Sequence, residues 1–101
     1  MISKYIIERG GKITLDDISQ IDHTLKILEV IGDLKEDLLQ ASFPHEQIID
    51  IGWHPEFCET GNFKVSPIKN LNWEQPISTN SAKDCSELCT AALNTLKHLE
   101  T

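Results

Sequence analysis

Apolar and polar positions alternate most clearly between residues 37 and 68. Ile49, Ile51 and Trp53 recur every second residue, the period of a strand with one buried face. Thr60-Gly61-Asn62 is a turn signal, because Gly and Asn tolerate positive φ. Phe63 and Val65 then resume the alternation. Ser66-Pro67 interrupts it, and Ile68 returns to the apolar side only if one residue is bulged out. Proline cannot donate to a ladder, so a bulge or an edge position is expected there. Upstream, Leu39, Ala41 and Phe43 alternate in the same way, and Pro44-His45-Glu46-Gln47 has the length of a hairpin connection. Residues 37–68 therefore read as a three-stranded meander.

The flanks carry a different period. Lys4 to Glu8, rich in Tyr and Ile, reads as a short strand ended by Gly10-Gly11. Thr14 and Asp17 have the spacing of a capping box, with Ile13 and Ile18 placed as a hydrophobic staple. The expected helix carries Ile18, Ile21, Leu25 and Leu28 on one face, with Gly32 as its C-terminal stop. A second helix is expected from about Ala82 to Leu99, capped through Ser81 and Asp84. Its stripe is Cys85, Leu88, Cys89, Ala92, Leu96 and Leu99. The stretch before it is irregular, and Trp73 and Ile77 are expected to tack it onto the core. The element order β-α-β-β-β-α predicts a single α+β domain over residues 1–101. Its expected form is a two-layer sandwich: a mainly antiparallel four-stranded sheet with two helices on one face.

Composition narrows the function classes. Charged residues at 25% and hydrophobic residues at 40% are the proportions of an ordinary folded domain. No apolar run approaches the roughly 20 residues that span a bilayer. MISKYIIERGG lacks the pattern of an export signal, so a cytoplasmic location is the expectation. The net charge of −7, from 16 acidic and 9 basic residues, argues against nucleic acid or an anionic membrane as partner and permits a basic protein.

Candidate chemistry is sparse. Cys85 and Cys89, four apart on a helix, could join His54 and Cys58 as zinc ligands. They lie, however, on the stripe the helix must bury, where free cysteine packs as a small hydrophobe, so no metal is expected. Three cysteines in a reducing compartment also argue against a disulfide framework. Cys58 with His54 or His45 lacks a Gly-rich oxyanion turn and an orienting third residue, so no enzyme and no cofactor are expected. Carboxylates cluster in two groups. Glu46, Asp50, Glu56 and Glu59 flank the β-hairpin, with His54 and Phe57 beside them, and Asp33, Glu36 and Asp37 precede the first strand of the meander. Both groups read either as a solvated rim or as an acidic docking surface.

Gly52-Trp53-x-Pro55-Glu56, then Gly61-x-Phe63-x-Val65, then Trp73-Glu74-x-Pro76, ahead of an amphipathic C-terminal helix, form a pattern. It resembles that of small bacterial immunity proteins of contact-dependent growth inhibition and related polymorphic toxin systems. The resemblance spans about residues 37–99. It implies a monomeric, non-enzymatic inhibitor that binds a cognate toxin domain, commonly a nuclease, in a 1:1 complex. It also implies structural roles for Trp53, Phe63 and Trp73, with specificity on the polar residues around them. The pattern carries no universal binding residue, so the expected toxin-binding set follows from charge and position: Asp33, Glu36, Asp37, Glu46, Asp50, His54, Glu56, Phe57 and Glu59. A small cytosolic interaction or regulatory domain without a toxin partner is the other reading open at this point.

Overall fold

The computed structural model describes residues 2–70 and 80–99. In chain order it has helix α1 (Ile2–Glu8), strand β1 (Lys12–Asp16), a one-turn helix α2 (Ile27–Val30) between two 3₁₀ turns (Ile18–Gln20 and Ile31–Asp33), strands β2 (Leu39–Phe43), β3 (Gln47–His54), β4 (Asn62–Lys69) and β5 (Asn80–Ala82), and helix α3 (Cys85–Lys97). The strands form one antiparallel sheet in the order β1-β2-β3-β4-β5. The α+β class and the antiparallel meander are as the alternation predicts. The sheet has five strands where four are expected, and α1 adds a helix to the expected two.

The register explains which face is buried. Leu39, Ala41 and Phe43 stand beside Ile49, Ile51 and Trp53, then Phe63, Val65 and Ala82, all 8% exposed or less. Ile2 and Ile6 of α1 and Leu88, Ala92 and Leu96 of α3 close the same cluster, so both helices cover one face. The opposite face presents Gln40, Ser42, Asp50 and His54, half-buried, and the exposed Lys64. Trp53 and Phe63 meet edge to face with centroids 4.9 Å apart, the geometry the aromatic quadrupole favours.

The N-terminal third departs from expectation. The expected strand over Lys4–Glu8 is part of α1: Ile2 and Ile6, four apart, both point into the core, while Ile7 is 62% exposed. Gly10, at φ 86, ends the helix. Its N–H donates to the Ile7 carbonyl at 3.0 Å, and the Gly11 N–H donates to that of Ile6 at 2.9 Å, which is a Schellman stop. The expected cap residue Thr14 lies in β1 at a register shift, where its hydroxyl donates to the Gln40 carbonyl at 3.2 Å.

The single long helix expected after it is broken by side chains that compete for the backbone. Asp16 accepts from the Ser19 N–H at 3.0 Å and the Ser19 hydroxyl at 2.7 Å. Asp22 accepts from the Thr24 N–H at 2.9 Å and the Thr24 hydroxyl at 2.6 Å. The expected apolar stripe splits accordingly: Ile18 and Ile21 are buried, and Leu25 and Leu28 are 41% and 64% exposed.

Two smaller corrections concern proline and a cap. The β3–β4 register runs unbroken through Ile49↔Pro67 and Ile48↔Ile68, so no bulge forms, and Ile68 faces away from Val65. An unbroken ladder is open to Pro67 where its nitrogen faces outward, and among the described residues the β4–β5 pairs run from Phe63↔Ala82 to Val65↔Asn80. Helix α3 begins at Cys85, three residues later than expected, with Asp84 as its cap. Asp84 accepts from the Glu87 N–H at 2.8 Å, and Glu87 reaches back to the Lys83 N–H at 3.3 Å. The α3 stripe is as expected, with Leu88, Ala92 and Leu96 buried and Cys85, Cys89 and Leu99 partly so. Trp73-Glu74-x-Pro76 and Ile77 lie outside the described residues.

Candidate functional site

The end of the sheet where β3 gives way to β4 is built by the patterned residues. Gly52 has its place there because another backbone crosses it: an added Cβ would lie 1.7 Å from the Glu36 carbonyl oxygen. Residues on either side of that crossing are stitched to β3. The Leu38 N–H donates to the Ile51 carbonyl at 2.9 Å, and the Trp53 N–H donates to that of Lys35 at 2.8 Å. Gly61 answers the same need for the indole, since a Cβ there would come 2.7 Å from Trp53 Nε1. That nitrogen donates to the Cys58 carbonyl at 2.8 Å, which ties the core tryptophan to the β3–β4 loop.

The loop is tied a second time. The Phe57 N–H donates to the Leu34 carbonyl at 2.9 Å, while Leu34 itself is fully buried. Phe57 sits at φ 57, a left-handed conformation that costs a residue with a Cβ roughly 1–2 kcal/mol. Its ring is 51% exposed. The buried network thus fixes a loop whose outer side carries Glu56, Phe57 and Glu59, beside the segment that carries Asp33, Glu36 and Asp37.

Not every expected residue joins them. Glu46 lies in the β2–β3 turn at the other end of β3, roughly 25 Å away at strand rise, and does not belong to this site. Asp50 lies midway along β3 on the face away from α1 and α3, where Gln40 Nε2 donates to its carboxylate at 3.2 Å. Burial pushes its carboxyl above the ordinary value of 3.8. The Gln40 bond acts in the opposite direction, Asp37 adds repulsion and His54 eases it. His54 occupies the same face at the end of β3, half-buried. These two form a shoulder beside the acidic loop.

The structure adds residues that sequence reasoning assigned to the core. Leu28 lines an open groove of about 520 Å³ whose other side is Glu59-Thr60-Gly61; Ile27, Trp53 and Lys83 also line it. The turn at Asp22-x-Thr24 was the available signal, since it throws the helical phase off before Leu28 is reached.

The thiols differ in kind. Cys58 Sγ lies 3.1 Å from Thr60 Oγ1, and that hydrogen bond holds its pKa below the ordinary thiol value. Burial pushes Cys85 up. Among the described residues, no three His, Cys, Asp or Glu side chains are grouped to hold a metal ion. No described helix is long and apolar enough to cross a membrane. Comparisons with protein-family models, with curated proteins and with solved structures find no match.

Proposed function

We propose that this chain is an immunity protein: a non-enzymatic, cytoplasmic inhibitor that binds and neutralises the cognate toxin domain of a contact-dependent growth inhibition system. One observation carries the reading. Within the immunity-protein-like pattern, Trp53, Phe63 and Val65 are buried, Gly52 and Gly61 leave room for the Glu36 backbone and the indole, and Pro55 and Glu56 are exposed on the loop to which the indole is bonded. Phe57, Glu59, Glu36 and Asp33, beside them, are exposed as well. A buried support under an exposed acidic loop is a construction suited to an inhibitor that docks on a basic toxin.

The chemistry of the target follows from the charge. A toxin that cleaves nucleic acid needs a basic groove for phosphates. Carboxylates held on a fixed loop offer that groove the charge of its substrate without a scissile bond. A protein of net charge −7 is also drawn toward such a groove from a distance, which raises the encounter rate. Capture is 1:1, by one free monomer.

Co-expression tests the proposal. The C-terminal domain of the protein encoded immediately upstream of this chain's reading frame should prove toxic, arresting growth alone and failing to do so when the chain is present. Arrest that continues unchanged in the presence of folded chain would leave a small interaction domain without a toxin partner as the reading.

A further inference from the structure

We infer that Leu28 and Phe57 are the apolar anchors of the partner interface at this end of the molecule. The partner they fit is a basic protein face with an apolar hollow ringed by Lys and Arg. The inference rests on the proposed function and adds to it which residues hold the complex once charge has assembled it.

Leu28 is 64% exposed and Phe57 is 51% exposed, in a domain that sends its other two phenylalanines into the core. Leu28 faces the Glu59–Gly61 side of an open groove, and Phe57 leaves the same loop two residues before Glu59. An exposed Leu lining a cleft and an exposed Phe on the loop that also lines it mark an interaction surface. An aromatic side chain whose backbone is already fixed, here by the Phe57 N–H bond to Leu34, loses little freedom on docking.

Charge decides the occupant. Glu59 lines the groove with Lys83, Glu56 adjoins Phe57 on the loop, and Asp33 and Glu36 are exposed on the segment that Leu34 bonds to that loop. A second copy of this chain would bring the same carboxylates against themselves in a molecule of net charge −7. A basic partner meets them with opposite charge, and its Lys and Arg stems cover apolar surface as well.

The two kinds of residue then divide the kinetics. Carboxylates act at a distance, so they set the association rate and its dependence on salt. Leu28 and Phe57 act only at contact, so they set the lifetime of the complex. The probe is the purified toxin domain encoded beside this chain, measured by surface plasmon resonance against wild type, Leu28→Ala, Phe57→Ala and Phe57→Tyr. Both alanine variants should dissociate at least about 30-fold faster, the hot-spot threshold, with association within about twofold of wild type and an unchanged salt slope. Phe57→Tyr should hold nearly as long as wild type. Unchanged thermal melting of each variant keeps folding out of the comparison.

Wild-type complexes that outlast neither alanine variant would overturn the inference and leave the proposed function standing. No complex with wild type would overturn both. Free wild-type chain that sediments as a dimer, and as a monomer after Phe57→Ala, would make a second copy the occupant and overturn the inference as well.

Discussion

Gly52→Ala tests the architecture of the site with one methyl group. The added Cβ would lie 1.7 Å from the Glu36 carbonyl oxygen and 2.6 Å from its carbon, both backbone atoms that no rotamer change can move. Ordinary contact needs a retreat of about 1.5 Å or more by the crossing segment, and overpacking of this kind costs about 1–3 kcal/mol. The retreat pulls directly on the bonds from Trp53 N–H to Lys35 O and from Leu38 N–H to Ile51 O. Each contributes about 0.5–1.5 kcal/mol net. Stiffening the unfolded chain returns about 0.4–1 kcal/mol. The expected loss is therefore about 3 kcal/mol, a large share of the roughly 5–15 kcal/mol that holds a domain folded. Urea unfolding followed by circular dichroism measures it. Gly32→Ala is the control, because a Cβ there meets nothing within 4 Å; it should lie within about 1 kcal/mol of wild type. A Gly52→Ala protein that unfolds within about 0.5 kcal/mol of wild type would refute the backbone crossing.

Trp53→Ala should lose about 3–5 kcal/mol, since the indole is 1% exposed, and Trp53→Phe should lose about 1–2 kcal/mol by leaving the Cys58 carbonyl without its donor; denaturant midpoints report both. In native protein, Cys58 should react with a thiol reagent well before Cys85 and Cys89, and Thr60→Ala should slow it by removing the hydrogen bond that favours the thiolate. Asp50 binds its proton more tightly folded than unfolded, so its ionisation costs stability that is lost as pH rises through the raised folded value. Asp50→Asn should therefore be more stable than wild type near neutral pH and lose that advantage below the ordinary 3.8, as melts across pH will show.

The meander and α3 were legible because their patterns are long and agree with their burial. Leu39 to Phe43 and Ile49 to Trp53 alternate strictly, and Leu88, Ala92 and Leu96 keep helical phase. The first 33 residues were not, because their elements are one or two turns long and local signals conflict. Tyr5-Ile6-Ile7 favours a strand by propensity, yet burial of Ile2 with Ile6 and the Gly10 stop make it helix. Thr14-x-x-Asp17 imitates a cap, and the bonds that form are those of Asp16 and Asp22.

The site was half legible for a related reason. Acidic positions can be counted along a chain, but their meeting depends on the crossing of Glu36 over Gly52 and the bond from Phe57 to Leu34. Those contacts bring the Asp33–Asp37 segment to the Glu56–Glu59 loop and leave Glu46 at the far end. Leu28 was hidden altogether, since its helical spacing from Ile21 and Leu25 reads as core until the break at Thr24 is known.

The association rate of this chain with the toxin domain proposed as its partner, taken as a function of ionic strength, tests the central claim most directly. Wild type and the Glu56→Lys/Glu59→Lys variant are compared by stopped-flow fluorescence, with circular dichroism as the folding control. Both carboxylates are exposed, so the reversals should leave stability within about 0.5 kcal/mol. The account predicts a wild-type rate that falls steeply with added salt, and a variant that associates more slowly, with a flatter slope, and no longer protects cells. A tight complex whose association rate ignores both salt and the reversals would contradict it.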